Sequence, residues 1–390
     1  MANTFSFVGK ISRRKDNAFV EKKFNSGWVI NELNLTMTCG DNVQFLRVSG
    51  GMWDEEHTSK NNVMTMKHNE NGPDEKVTIK WEDRLNPDVV ASVANYKTYT
   101  VDTEITQARK DIETNIANLK KELETAVGEA RETIVAKLAD FEAKLEASNK
   151  KHKTFIAAVD FVKWLDKVTS NEKTKDWIWK VTGEVEYSFS KGKYYRNFVP
   201  KRVYHVDPAT EPQCVGTIKT FFSEGCVDEE DDNNILFNVY TQYYDQQCKK
   251  NCFVPTPLVV AKDHPKAKGF VMLYNKVEDE EVRELGVNVT YINGSQKVAI
   301  TEDMLTEEQK ELLDMNMITM DDIRKEIGDT VYGDKKTETK AEGIARGYTS
   351  GSKETAFVAD DLDRAPSKDD SVEEVGAEVD IFNENEEDDI

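Results

Sequence analysis

Two stretches of the sequence interleave cationic and aromatic residues, a combination that can hold a single nucleic-acid strand. Cationic side chains can follow the phosphates, and aromatic faces can stack on bases without reading their order. One stretch runs from Lys10 to Trp28 and the other from Lys191 to Arg202. Together with two positions between them, they give these predicted nucleic-acid-binding residues: Lys10, Arg13, Arg14, Lys22, Lys23, Phe24, Trp28, Arg47, Trp53, Lys191, Lys193, Tyr194, Tyr195, Arg196 and Phe198.

The same residue types also have a purely structural interpretation. Tyrosine and phenylalanine favour strands, and alternation along a strand buries about half of them. Of Tyr194 and Tyr195, one is therefore expected to face a core. Lysine and arginine on strand edges also prevent edge-to-edge aggregation. A solvated strand surface is thus the alternative to a binding surface at both stretches.

The formal net charge of −21 is concentrated towards the C-terminus. Residues 1–200 carry +1, residues 201–353 carry −9 and residues 354–390 carry −13. Self-repulsion and scarce apolar surface predict a disordered tail in the last 37 residues. As a tethered polyanion, the tail would compete with DNA for a basic groove and recruit partners when displaced, or it would serve only solubility. The predicted partner-binding positions in the tail are Asp380, Ile381, Phe382, Asp388, Asp389 and Ile390.

The periodicity of apolar residues predicts the strands and helices that must position these residues. The first hundred residues alternate as strands, with Val29, Leu33 and Leu35 facing inward. Between 102 and 150, apolar residues recur at helical spacing. This predicts either one helix of about 70 Å or a helical hairpin that breaks near Gly128.

After that helical region the sequence predicts a packed helix and a hairpin of two strands, and then a second unit from residue 209. The second unit contains further strands, among them 270–274, and a tight turn at Asn293-Gly294. Two short helices follow, and the stretch 333–353 has the Lys, Thr, Gly and Ser composition of a linker.

The predicted secondary-structure elements of residues 1–206 are, in chain order, three strands, an insertion, a helix and a two-stranded hairpin. The first strand, Phe5-Ser-Phe-Val-Gly-Lys-Ile, the closing hairpin with Lys193-Tyr-Tyr-Arg-Asn-Phe, and the acidic ending Asp388-Asp-Ile carry a resemblance. The chain resembles bacteriophage-type OB-fold single-stranded-DNA-binding proteins with an acidic C-terminal tail.

The resemblance implies a mostly β, α+β fold, in which a five-stranded OB-type barrel is interrupted by a long helix or helical hairpin. The expected domains are a barrel domain at 1–206 with its helical insertion at 102–152, a second β-rich domain at 207–332 for which an OB-like barrel is one option, and a flexible linker and disordered tail at 333–390.

The expected function is non-catalytic binding of single-stranded DNA in phage replication or recombination, with further replication or recombination proteins recruited by the tail. No phosphate-binding loop, nucleophile elbow or Cys–His pair at a familiar spacing favours an enzyme, and no cofactor is expected. The rival hypothesis is a structural or scaffolding protein of a virion or assembly that self-associates through residues 102–150.

The sequence also bears on where in the cell the protein resides and on whether it binds zinc. It has no apolar run long enough to span a membrane and no secretory signal, so a cytoplasmic location is expected, in a bacterial host if the chain is phage-encoded. Its odd number of cysteines suits a reducing compartment. Cys214, Cys226, Cys248 and Cys252 lie close enough in sequence to leave zinc binding open, but only the last two form a tight pair.

Overall fold

The computed structural model describes residues 3–14, 17–104, 106–126, 128–149, 151–245, 248–328 and 330–364. The fold is mostly β, with 45% of residues in strands against 29% in helices. Up to residue 206, the elements in chain order are β1 (Thr4–Arg13), β2 (Phe19–Lys23), β3 (Trp28–Cys39), β4 (Asn42–Trp53), β5 (Asn62–Lys67), β6 (Glu75–Lys80), α1 (Pro87–Ser92), β7 (Tyr99–Asp102), α2 (Thr106–Thr125), α3 (Glu129–Asn149), β8 (His152–Phe155), α4 (Ala158–Thr169), β9 (Ile178–Ser190) and β10 (Lys193–Val206).

Five of these strands close on themselves and form what we call the first ring. β1 pairs antiparallel with β3, β3 pairs antiparallel with β4, and β4 runs parallel to β10 where Leu46 lies opposite Phe198. β10 pairs antiparallel with β9, which returns to β1. The helix α4 lies between the third and fourth of these strands in the sequence.

Alternation along the strands sets the inside of the first ring. Val29, Leu33 and Leu35 of β3 are buried, as the sequence predicts. Leu33 and Leu35 belong to the same core cluster as Phe161 and Leu165 on the apolar side of α4. Burying each such side chain contributes about 1.5–3 kcal/mol. The even-numbered residues of β3 therefore lie on the outer face of the ring.

The segment between β4 and α4 is a long insertion. It contains the β5–β6 hairpin, α1, the β7–β8 pair and the two helices α2 and α3. The helical region is a hairpin rather than one long helix. It turns at Gly128, whose φ of +60° is readily adopted by glycine. An ion pair between Lys120 Nζ and Glu142 Oε1 (3.5 Å) joins the two helices.

The remaining elements, from residue 207 on, build a second ring. They are β11 (Gln213–Phe222), β12 (Val227–Asp228), β13 (Asn234–Phe237), β14 (Tyr240–Asp245), β15 (Lys250–Pro255), β16 (Leu258–Ala261), α5 (Ala267–Tyr274), β17 (Glu281–Ala299), α6 (Glu307–Asp314), α7 (Met320–Ile327), β18 (Thr330–Ile344), β19 (Lys353–Val358) and α8 (Ala359–Leu362).

The second ring repeats the pairing order of the first. β11 pairs antiparallel with β14, and the β13–β14 segment pairs antiparallel with β15 and β16. β16 runs parallel to β18, β18 pairs antiparallel with β17, and β17 returns antiparallel to β11. The helix α5 stands in the chain where α4 stands in the first ring.

Three expectations about this half are wrong. Residues 270–274 belong to the helix α5, because a short apolar run does not distinguish a buried helix from a strand. The strand β17 continues through Asn293-Gly294, where a turn was predicted, since both residues pair with β18. The expected linker at 333–353 and the start of the expected tail contain β18, β19 and α8, with Thr339 and Ala341 as small buried residues.

The two rings share one sheet and one core. The first half of β1 pairs antiparallel with β11, from Thr4 opposite Thr217 to Val8 opposite Gln213. Inside, the ring of Phe198 lies 4.8 Å from that of Phe7 and 5.0 Å from that of Tyr291, which belongs to β17. The aromatic contact therefore crosses the boundary between the rings.

Candidate nucleic-acid interface

A cleft of about 460 Å³ opens on the outer face of the first ring, and we call it the cationic groove. Strands β3 and β4 form its floor, Arg14 and the β2 residue Lys22 form one wall, and the ends of β9 and β10 with the turn between them form the other. Its lining residues are Arg14, Lys22, Glu32, Asn34, Gln44, Phe45, Leu46, Arg47, Ser188, Ser190, Lys191, Tyr195, Arg196, Asn197, Phe198 and Asn293.

The two sequence stretches that carry cations and aromatic rings therefore meet in space. Arg14 and Lys22 come from the first stretch, and Lys191 and Tyr195 come from the second. Lys191 lies in the tight turn between β9 and β10 with a φ of +52°, and Gly192 follows with a φ of +78°. This turn holds Lys191 at the exposed edge of the groove.

The cations of the groove differ in how much charge they present. The Arg14 guanidinium lies 4.5 Å from the centre of the Phe45 ring, while Lys22 and Lys191 are exposed to solvent. Arg47 is engaged with Glu32, at 2.6 Å between Nη2 and Oε2.

Glu32 is the one carboxylate among the described lining residues of the groove. Burial disfavours its charge, but hydrogen bonds from Arg47 and Asn34 outweigh burial and lower the pKa of Glu32. The carboxylate is thus ionised at neutral pH and offsets Arg47, which leaves Arg14, Lys22 and Lys191 as the cations available to an anionic ligand.

Arg196 lies beneath the groove and bridges the two rings. Its guanidinium lies 5.1 Å from the Phe198 ring and 5.0 Å from the Tyr291 ring, and Nη1 donates to Thr339 Oγ1 at 3.1 Å. Burial lowers its pKa, with Tyr187 and Tyr291 acting in the opposite sense. The residue holds β10 against β17 and β18 rather than offering its charge to solvent.

An aromatic surface, which we call the aromatic platform, continues the outer face beyond the groove. It consists of Phe24, Trp28, Ile30 and Trp53 with Ser26 at its edge. Trp28 and Trp53 lie opposite each other on β3 and β4, with ring centres 5.3 Å apart and planes at 72°. Phe24 is 48% exposed, and Lys60 Nζ lies 4.6 Å from the centre of the Trp53 ring.

A glycine lets the platform lie flat on the sheet. A Cβ on Gly51 would stand 2.2 Å from Cζ2 of Trp28, so only a residue without a side chain allows this indole to cover β4. Because Trp28, Ile30, Glu32 and Asn34 are alternate residues of one strand, they share one face. The platform and the cationic groove are therefore two ends of one continuous surface.

An ion-pair network supports the edge of the platform. Asp54 accepts from His57 Nδ1 at 2.7 Å and pairs with Lys23 Nζ at 2.9 Å. The hydrogen bond from His57 and then that from Lys23 lower the pKa of Asp54 to about 2. This contribution to stability is fully present above the ordinary pKa of 3.8 and is lost as pH falls through about 2.

The structure places several predicted residues away from the groove. Lys10 pairs with Asp176 (3.4 Å), and Arg13 forms an ion pair with Asp166 of α4. Tyr194 and Phe198 are buried core residues, so their rings are not offered to a ligand. Tyr195 faces the groove, in agreement with the expectation that one of the two tyrosines turns inward.

Other predicted positions have different environments. Lys193 is exposed at the start of β10 outside the lining of the groove, and Lys23 is held by Asp54. The tail positions Asp380, Ile381, Phe382, Asp388, Asp389 and Ile390 lie outside the described residues.

The sequence-based prediction missed several groove residues. Phe45, Asn34 and Gln44 belong to strands it identified, and Phe45 lies two residues before Arg47, so the alternation of β4 could have placed both on one face. Asn293 comes from the second ring. Its amide Nδ2 donates to the carbonyl of Val43 at 2.7 Å, a contact across 250 residues of sequence that no local pattern signals.

The equivalent loop of the second ring has the opposite charge. In the first ring the segment between β1 and β3 supplies Arg14 and, from β2, Lys22. In the second ring, the segment between β11 and β13 contains these carboxylates: Glu224, Asp228, Glu229, Glu230, Asp231 and Asp232. Asp231 accepts from the backbone amides of Asn233 and Asn234, and these bonds lower its pKa.

Among the described residues, no group of three or more His, Cys, Asp or Glu side chains is arranged to hold a metal ion. All five cysteines are free thiols, and Cys248 is the one that is not buried. Burial raises the pKa of Cys226 to about 12 and that of Cys252 to about 11. In the described part of the chain, the helices are too short or too polar to cross a bilayer.

The chain matches no protein-family model and no curated protein. Among solved structures it is similar to the wild-type single-stranded DNA binding protein from Thermus aquaticus, with a TM-score of 0.29 and 7% sequence identity. The similarity covers 74% of this chain and 85% of that chain.

Proposed function

We propose that the first ring is an OB-type barrel and that the protein binds single-stranded DNA without bond chemistry. The observation that carries this proposal is the convergence of Arg14, Lys22 and Lys191 with two aromatic rings, Phe45 and Tyr195, in one open groove. The strand order of the first ring, with a helix between its third and fourth strands, supports the barrel assignment.

The surface has the length that a short strand of DNA needs. From Asn34 in the groove to Trp28 on the platform is six residues along β3, or about 20 Å at ~3.3 Å per residue. Single OB-type barrels cover about 4–16 nucleotides. In this arrangement the three cations hold phosphates at one end, and the two indoles stack bases at the other.

The chemistry of the lining favours binding over catalysis. The groove offers cations, amides, hydroxyls and aromatic rings, and its carboxylate Glu32 is ionised and held by Arg47. We therefore propose a protein that is not an enzyme and that needs no cofactor for this activity.

The biological setting is part of the same proposal. We assign the protein to replication or recombination of phage DNA in the cytoplasm of a bacterial host, because of the element order and the acidic C-terminus quoted above. The acidic residues after 364 would recruit replication or recombination proteins, and their charge would weaken DNA binding at low salt.

Fluorescence anisotropy of the full-length protein with a labelled oligo-dT of about 30 nucleotides, over a salt series, tests this function. Three phosphate contacts on a single strand predict that log Kd rises with log salt with a slope of about 2. The double variant Lys22→Glu, Lys191→Glu is expected to bind about 100-fold more weakly and to lose most of that slope.

The matched control is Lys120→Glu, Lys175→Glu, which reverses two exposed lysines that do not line the groove. It should bind within about twofold of the wild type. Absence of oligo-dT binding by the wild type at low salt would exclude the proposal. Equal losses in both double variants would show that total charge, rather than the groove, determines affinity.

The scaffolding hypothesis makes a different prediction. In the structure α2 and α3 pack on each other within one chain, so their seam has an intramolecular partner. Replacing residues 105–149 by a short Gly-Ser linker should leave oligo-dT binding intact under our proposal. Under the scaffolding hypothesis it would abolish self-association, which sedimentation velocity measures.

A further inference from the structure

The second ring carries an apolar groove of about 580 Å³ beside its helix, and we call it the α5 groove. Phe270, Met272 and Leu273 of α5 and Ile344 at the end of β18 form its apolar walls. Met272 is 67% exposed and Ile344 is 39% exposed, whereas Phe270 is buried at the base. The loop from Thr349 to Ser352 closes one side.

Two lysines give this apolar groove a positive rim. Lys266 and Lys276 line it at opposite ends of α5, and the described lining residues include no carboxylate. Lys266 Nζ donates to the carbonyl of Glu342 at 2.6 Å, which fixes its cation beside Gly343. An apolar groove rimmed by cations suits a ligand that joins large apolar side chains to carboxylates.

We propose that the α5 groove receives the C-terminal segment of the same chain around Ile381 and Phe382. Between residues 365 and 390 the chain carries eleven carboxylates and one lysine. Phe382 is the one aromatic residue of that segment and follows directly on Ile381. Asp380 and Glu384 flank the pair, so the apolar side chains would enter the groove while the carboxylates meet Lys266 and Lys276.

The position at which the described chain ends is compatible with this docking. The last helix, α8, packs on the second ring through Leu362, which lies in a cluster with Phe221 and Phe253. The chain therefore departs from the ring that carries the groove. Phe382 follows Arg364 by 18 residues, which can span up to about 60 Å when extended. Tethering would give the segment an effective concentration in the millimolar range.

The cationic groove of the first ring is a poorer fit for the same segment. Its walls include Ser188, Ser190 and Asn197, and of its apolar side chains Leu46 and Phe198 are buried. Its Phe45 ring is covered by the Arg14 guanidinium, and Tyr195 is half-buried. It offers charge but little exposed apolar surface to Phe382. Docking on the second ring would leave the cationic groove open to its own ligand, so this inference does not depend on DNA binding.

Photo-crosslinking of the full chain tests the proposal. Phe382 is replaced by the photoreactive residue benzoylphenylalanine, the protein is irradiated, and the joined peptides are identified by mass spectrometry. We expect crosslinks within one chain to residues 267–276 or 343–352, at a yield independent of protein concentration and of added oligo-dT. The variant Met272→Glu, at an exposed position, should reduce the yield at least about fivefold, and Lys22→Glu should leave it unchanged.

The other outcomes would each overturn the proposal. Crosslinks to β3, β4 or the β9–β10 turn that oligo-dT suppresses would place the segment in the cationic groove. Crosslinks between chains would make the occupant a second copy. A yield no higher than that of a photoreactive residue at Ser367 would mean that the pair does not dock. As a second readout, Ile381→Ser with Phe382→Ser should increase amide hydrogen exchange in Ala267–Tyr274.

Discussion

The two rings have the same strand order and opposite electrostatics. Each closes through one parallel contact between its third and fifth strands, and each carries a helix between its third and fourth strands. In the first ring the loop after the first strand is cationic, and in the second it contains the acidic run 228–232. The same strand pattern therefore occurs with loops of opposite charge at one end of each ring.

The connection between the fourth and fifth strands also differs between the two rings, in length and in what it contains. In the first ring this connection is the tight turn at Lys191-Gly192, which leaves the groove open. In the second ring it is an arm formed by the far ends of β17 and β18 with α6 and α7 between them. The arm reaches the first ring through Asn293, so part of the second ring serves as a wall of the first ring's groove.

Breaking the joint between the rings should have the largest effect. Arg196→Ala removes the guanidinium that lies between Phe198 and Tyr291 and leaves a cavity beside Thr339. We expect the free energy of unfolding to fall by about 3 kcal/mol, measured by urea denaturation. Arg324→Ala on the exposed face of α7 is the control, with a change within about 0.5 kcal/mol. A loss below about 1 kcal/mol for Arg196→Ala would mean that the rings do not depend on this contact.

Removing an indole from the platform should affect affinity but not salt dependence. Trp28→Ala loses one stacked base, worth about 1–3 kcal/mol, so oligo-dT binding should weaken by about tenfold or more. The slope of log Kd against log salt should remain that of the wild type, because no charge changes. Tyr96→Ala, an exposed aromatic residue outside both surfaces, serves as the control. Unchanged affinity for Trp28→Ala would exclude the platform from the binding path.

Removing the charge of Glu32 should increase the positive charge that the cationic groove presents to DNA. Glu32→Gln keeps an acceptor for Asn34 but frees Arg47, and we expect oligo-dT affinity at low salt to rise by about threefold. The gain should shrink as salt rises. Anisotropy titrations at two salt concentrations measure this gain in affinity. If Glu32→Gln instead bound oligo-dT more weakly, the Glu32–Arg47 pair would be needed to hold the groove in shape.

Reversing the acidic loop of the second ring should have the smallest effect. Asp228→Lys with Glu230→Lys makes that loop resemble the cationic loop of the first ring. At about 0.15 M salt, where the Debye length is about 8 Å, affinity for oligo-dT should change by less than about twofold. A tenfold increase in affinity would indicate that DNA also contacts the second ring, and it would contradict the expectation that DNA binds only to the first ring.

Much of the frame was predictable because alternation and periodicity are local signals. Val29, Leu33 and Leu35 identify the inner face of β3, and Gly128 marks the turn of the helical hairpin. The sequence of residues 333–353 has the composition of a linker although it contains most of β18, because the buried residues there are small, such as Thr339 and Ala341, and give little hydrophobic signal.

The candidate site was predictable only in part, because partners distant in sequence decide which cations are available. The residues next to Arg13 in the sequence do not indicate that it pairs with Asp166 of α4. The residues next to Lys23 likewise do not indicate its ion pair with Asp54, which also contacts His57. The inward turn of Phe198 follows from the parity of β10, which the pairing with β4 and β9 fixes only in the folded chain.

The position of β1 between β9 and β11 bears on how the chain is made. Its residues 4–8 are synthesised long before their partners, which are residues 180–184 in one ring and 213–217 in the other. At about 5–20 residues per second, translation delays the second partner by about 10–40 s. Over that interval the core around Phe5 and Phe7 is incomplete, because it also contains residues of the second ring such as Tyr291.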